Sequence, residues 1–136
     1  MANYRSAILK VLLTEGGYAN DPDDSGGETY KGIARNFWPR WSGWVIIDIA
    51  KKQHGYELAL NRNMQLNDDV IAFYKVNFWD KVGGDFIKDQ SIANNLVDAA
   101  VNEGIKGAVK RAQGIVLIAQ TGVITPELGT KLNLLV

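Results

Sequence analysis

Three groups with complementary chemistry stand close together near the start of the chain: the carboxyl of Glu15, the carboxylate of Asp24 nine residues on, and the hydroxyl of Thr29 five residues beyond that. The residues between them, Asn20-Asp21-Pro22-Asp23-Asp24-Ser25-Gly26-Gly27, are almost all turn formers. A loop of this composition can fold back so that a carboxyl at a helix end faces a carboxylate and a hydroxyl across a cleft. Hydrolysis of a glycosidic bond asks for such a set. One carboxylic acid protonates the leaving oxygen, and a second group across the sugar acts as nucleophile or activates water. Carboxyl separations of about 5–5.5 Å suit retention of configuration and about 6.5–9.5 Å inversion.

The elements that must hold these groups can be traced from apolar spacing. Ala7, Ile8, Val11 and Leu12 predict an amphipathic helix from Asn3 to about Glu15, stopped by Gly16-Gly17. Glu15 is therefore expected on the last turn, facing the negative end of the helix dipole, which raises the proton affinity of a carboxyl that is also partly buried. Thr29 to Ile33 is expected to form a short strand or the return arm of a hairpin, with alternation turning Glu28 away from Thr29. Further helices are expected over about Ser42–Gln53 and Tyr56–Arg62. Another is expected from an Asn67 cap to about Asp80, one from a Ser91 cap to about Gly104, and one from Gly107 to Gln120. The last begins at Thr125-Pro126-Glu127, where cap, first-turn proline and acidic residue stand in order. About six helices and one short β-hairpin or loop excursion after the first make the expected fold class all-α.

The 136-residue chain is long enough for a hydrophobic core, and its formal net charge of zero attracts neither nucleic acid nor an anionic membrane. Without Cys it has no disulfides, thiol nucleophiles or thiolate metal sites. His54 is the only histidine, so neither a Ser-His-Asp triad nor a histidine zinc site is supported, and the spacing of Asp21, Asp23 and Asp24 lacks the later ligands of a calcium loop. No metal and no cofactor are expected. Neither a signal peptide nor a membrane anchor is seen in the opening residues. Among the aromatics, Tyr18, Tyr30 and Trp41 are the candidates to stack on sugar rings, whereas Trp79 is expected in the core. Lys106, Lys110 and Arg111 form a small basic patch on a helix face.

Glu15-Gly16-Gly17-Tyr18, then Asn20-Asp21-Pro22-Asp23-Asp24, Gly26-Gly27-Glu28-Thr29 and Gly32-Ile33, resemble the N-terminal motif of glycoside hydrolase family 108. The resemblance implies a lysozyme-like helical fold and N-acetylmuramidase activity on peptidoglycan glycan strands, with Glu15 as the catalytic acid and Asp24 and Thr29 as candidates for the second group. Ala93 to Gly104, followed by Gln113 and Gly122-Val123-Ile124-Thr125-Pro126, resembles the peptidoglycan-binding region joined to this family, although Thr121-Gly122 and Thr125-Pro126 replace its more usual Asp-Gly and Gly-Pro. The expected division is a catalytic region over 1–85 and a binding region over 86–136, packed into one globular unit. With no signal peptide seen, the expected setting is a phage or prophage endolysin that waits in the cytoplasm for release through a holin-like pore. The competing expectation is a non-catalytic wall-binding module or a regulator of lysis or secretion, which would grip peptidoglycan without clearing it.

Overall fold

The computed structural model describes residues 1–136 and has seven α-helices and one three-stranded antiparallel sheet. The chain divides into two compact units, one formed by residues 12–73 and the other by residues 1–11 with 74–136. The expected boundary at 85/86 falls inside the second of these units. No helix is long and apolar enough to cross a membrane.

The unit of residues 12–73 holds the sheet, made of β1 (Tyr18–Asn20), β2 (Glu28–Tyr30) and β3 (Ile33–Ala34). After it come two short helices, α2 (Gly43–Ala50) and α3 (Tyr56–Arg62), which pack on each other. Trp44 and Ile47 are the buried positions of α2, leaving Val45 and Ile49 exposed. The next helix, α4 (Met64–Tyr74), contributes Leu66, Val70, Ile71 and Phe73 to the buried set. It starts earlier than expected, because the side chain of Asn63, and not of Asn67, accepts a first-turn N–H, that of Leu66 at 2.9 Å.

The other unit begins with α1 (Tyr4–Leu12), whose Ala7, Ile8 and Val11 are buried as the spacing predicts. The helical run of α4 widens and then tightens beyond Tyr74, through a π-helical turn at Lys75–Trp79 and a 3-10 turn at Asp80–Val82. Gly83, at φ 71°, then stops it, in the left-handed region that favours glycine. Trp79 is fully buried, as expected, and its indole N–H donates to Asp85 at 2.8 Å. Removing about 150–250 Å² from water at about 25 cal/mol per Å² stabilises by about 4–6 kcal/mol, so this one side chain is a large term. α5 (Gln90–Glu103) and α6 (Ile105–Ile115) form the main helix pair, through Ala93, Leu96, Val97 and Ala100 on one and Ala108, Val109 and Ala112 on the other. Asp89, not Ser91, caps α5: its backbone is extended and its carboxylate accepts the Ile92 N–H at 2.9 Å. α7 (Pro126–Asn133) starts as the sequence predicts, with Thr125 accepting the Leu128 N–H.

Candidate active site

The site is built on the sheet. Tyr18, Ala19 and Asn20 of β1 lie opposite Tyr30, Thr29 and Glu28 of β2, and Thr29 and Tyr30 lie opposite Ala34 and Ile33 of β3. Directly paired residues share a face, so one face carries Tyr18, Asn20, Glu28, Tyr30 and Ile33, and the other carries Ala19, Thr29 and Ala34. Tyr30 and Ile33 are buried, which makes the first face the inner one. Thr29 thus stands half-buried at the centre of the outer face between Ala19 and Ala34. The turn joining β2 to β3 is Lys31-Gly32, with φ of 47° and 83°. Positive φ at both central residues is the two-residue hairpin geometry that matches strand twist. The expected hairpin is therefore the second half of a three-stranded sheet.

The acidic loop folds as two successive turns. The Asp21 carboxylate accepts the Asp23 N–H at 2.9 Å, and the Asp24 carboxylate accepts the Gly26 N–H at 2.9 Å. Backbone bonds from Asp24 to Asp21 and from Gly27 to Asp24 close both. Asp21 and Asp24 are thus turn residues bonded to their own backbone. Gly26 lies tight against the sheet: a Cβ placed on it would stand 2.9 Å from the Ala34 Cβ and 3.4 Å from Asp24 Oδ1. Ala34 is the outer-face neighbour of Thr29, and both its Cβ and Asp24 Oδ1 stand beside Gly26.

Glu15 is displaced from its expected position. α1 ends at Leu12, so Glu15 lies in the connection to β1 and not on the last helical turn. The argument from the helix dipole loses its geometric basis there. The segment is tied to the sheet instead, through the Lys31 N–H, which donates to Gly17 O at 3.3 Å. Glu15 is half-buried, whereas Gly16 and Gly17 are exposed, and a Cβ on either glycine would meet nothing within 4 Å.

Of the expected sugar-stacking residues, Tyr30 is 1% exposed and belongs to the wall behind the sheet, where a ring has no free face. Burial raises its hydroxyl pKa, and that hydroxyl has no hydrogen-bond partner. Tyr18 is half-buried, edge-on to Tyr56 with centroids 5.6 Å apart. Trp41 is half-buried too, edge-on to Trp44 at 5.3 Å and donating its indole N–H to Asp69 O at 3.3 Å. Gly43 makes room for it, since a Cβ there would lie 2.3 Å from the Trp41 ring.

Glu28 anchors the inner face. Its side chain, 10% exposed, accepts from the Tyr18 hydroxyl at 2.5 Å, from Lys51 at 2.6 Å and from Arg35 at 2.9 Å. Burial pushes its carboxyl up, but the hydrogen bonds from Lys51, Tyr18 and Arg35 outweigh that and hold it below its ordinary value. Burial and the bond to Glu28 raise the Tyr18 pKa, so the phenol remains a donor. Arg35 also forms a two-pronged pair with Asp48 at 2.7 and 2.8 Å and lies over the Trp44 ring. Lys51 and Asp48 come from α2 and its C-terminus, so this network fastens the sheet to that helix. Alternation along β2 was enough to turn Glu28 away from Thr29; the partners are too distant in sequence to be predicted. No three His, Asp or Glu side chains gather closely enough to hold a metal ion.

The chain resembles one solved structure in particular, "Structure of Brucella abortus SagA", at 28% sequence identity and a TM-score of 0.60, covering 95% of this chain and 67% of that one. A search of curated proteins found no match. The family model for glycosyl hydrolase 108 matches residues 8–104, a span that contains Glu15, the acidic loop, the whole sheet and the Glu28 network. With most of the chain and all of the candidate site inside that match, the protein belongs to glycosyl hydrolase family 108.

Proposed function

We propose that the protein is a lysozyme-like N-acetylmuramidase that cleaves the β-1,4 bond between N-acetylmuramic acid and N-acetylglucosamine in peptidoglycan. Glu15 protonates the glycosidic oxygen as oxocarbenium-like charge develops on the departing sugar. Asp24, or a water held by Thr29, meets that charge from the other side. What supports this reading is that Gly26 packs on Ala34, the outer-face neighbour of Thr29, and that Asp24 Oδ1 stands against the same glycine. Membership of a glycosyl hydrolase family supports the reaction class. Of the expected stacking residues, half-buried Trp41 is kept as a sugar contact, whereas Tyr18, on the inner face, serves the Glu28 network. Residues 86–136 serve as the glycan-binding region and residues 1–85 as the catalytic one.

The test is a digest of purified peptidoglycan, reduced with borohydride and resolved by mass spectrometry. Muraminitol ends are expected. Glucosaminitol ends would make the enzyme a glucosaminidase, and 1,6-anhydro ends would make it a lytic transglycosylase; either result contradicts the proposal.

A further inference from the structure

We propose that Phe37 is a stacking platform for a pyranose ring of the glycan strand, in the subsite beside Asp24; this rests on the glycan-hydrolase reading above. Phe37 is 66% exposed. Isolated exposed apolar side chains are ordinary on protein surfaces and need no explanation by themselves. Two observations set this one apart. The first is its position: a Cβ placed on Gly26 would lie 3.6 Å from Phe37 Cε2 and 3.4 Å from Asp24 Oδ1, so ring and carboxylate flank the same glycine.

The second is that the backbone beneath the ring is fixed. Arg35 N–H donates to Glu28 O at 2.8 Å and Asn36 N–H to Gly26 O at 3.1 Å, while the N–H groups of Phe37 and Trp38 both donate to Ala34 O. The Asn36 side chain adds a bond to Ser25 O at 3.1 Å. On the far side, Trp38 packs edge-on against Phe73 with centroids 4.8 Å apart, and its carbonyl accepts the Trp44 indole N–H at 2.9 Å. The backbone is thus pinned on both sides of Phe37, whose ring stands exposed beside Gly26.

A rigid, flat, apolar surface next to a carboxylate suits a ligand that is apolar on one face and hydroxylated at its rim. A pyranose is such a ligand, offering axial C–H bonds to the ring and hydroxyls to the acid. Because the platform is already ordered, stacking on it costs little conformational entropy.

The experiment measures binding of the tetrasaccharide of alternating N-acetylglucosamine and N-acetylmuramic acid, by calorimetry, to Glu15→Gln protein with Phe37 intact or changed to Ala, Leu or Trp. KM and kcat on soluble peptidoglycan are measured in parallel with Glu15 in place. Phe37→Ala and Phe37→Leu are expected to weaken binding and raise KM about tenfold, and Phe37→Trp to retain both. Phe37→Leu preserves apolar bulk without a flat face, so it also covers the case in which Phe37→Ala is unstable. Unchanged affinity and KM in Phe37→Leu overturn the platform, whether the ring is then idle or serves an apolar protein partner. If wild-type protein cleaves no peptidoglycan yet binds the tetrasaccharide through Phe37, the muramidase reading falls and the platform stands. If it cleaves and Phe37 is irrelevant, the reverse holds.

Discussion

Glu28 and Thr29 are consecutive residues of β2 whose side chains leave on opposite faces of the sheet. Thr29 stands between Ala19 and Ala34 on the outer face, and Glu28 is enclosed by Tyr18, Arg35 and Lys51 on the inner one. One peptide bond therefore separates a candidate for the chemistry from the carboxylate that fixes the strand carrying it.

The outer-face role is tested by Thr29→Val, which keeps the shape and the strand preference and removes only the hydroxyl. If the hydroxyl positions water, kcat falls about 100-fold or more, while Thr29→Ser retains most of it. Stability stays within about 1 kcal/mol, because the residue is half-buried and strand-compatible. Steady-state rates and urea denaturation of both variants check this.

The inner-face role has a pH signature. The folded carboxyls of Glu28 and Asp48 are both held below their ordinary values, Asp48 by its hydrogen bonds from Arg35. A depressed folded pKa gives stability that is present above the unfolded value and is lost as pH falls through the folded one. The denaturation midpoint is therefore expected to be flat from neutral pH down to about 5 and to fall in the acid range below the ordinary Glu value of 4.5. Glu28→Gln is expected to cost about 1–3 kcal/mol at neutral pH, kept modest by the partial exposure of Arg35 and Lys51, and to flatten the acid limb.

The glycines of the site separate into two kinds. Gly27 has φ of 69°, and a Cβ on it would lie 2.7 Å from Asn36 Nδ2, so Gly27→Ala is expected to destabilise by about 1–2 kcal/mol. Gly16 has neither constraint, and Gly16→Ala is expected to be neutral or to stabilise by about 0.5 kcal/mol. A loss of activity in Gly16→Ala would then be a loss at the site and not of the fold. Thermal melts and rates of the two variants side by side decide it.

Helix capping offers a control remote from the chemistry. Asp89→Ala is expected to cost about 1 kcal/mol through the lost bond to Ile92, and Ser91→Ala, at an exposed position inside α5, less than about 0.5 kcal/mol. A melt in which Ser91 mattered more than Asp89 would contradict the observed start of α5.

Where one local rule acted unopposed, the sequence was a sufficient guide. Thr125-Pro126-Glu127 starts α7, Tyr56–Arg62 is a helix to the residue, Gly104 stops α5, and alternation separates Glu28 from Thr29. Local rules were ambiguous where two residues could play one part: Asn63 competes with Asn67, and Asp89 with Ser91, and the cap is the one whose side chain meets the free N–H groups. Gly16-Gly17 is a strong stop signal, yet the chain leaves α1 earlier, at Leu12, and Tyr18 pairs with Tyr30. Lys31 hid the β2–β3 turn, since lysine is an uncommon choice at positive φ. Tyr30 and Trp41 both looked available as aromatics, and only the packing shows Tyr30 to be enclosed. Phe37 carries no signal in the sequence, because its exposure and its place beside Gly26 arise from the fold.

The most direct measurement of the central claim is the rate at which Glu15→Gln clears purified cell walls, taken beside its melting temperature and its affinity for the tetrasaccharide. The account predicts an unchanged fold and unchanged binding with lysis lower by about 100-fold to 10,000-fold, the range of a lost general acid. Clearing at the wild-type rate by a folded Glu15→Gln protein would contradict it.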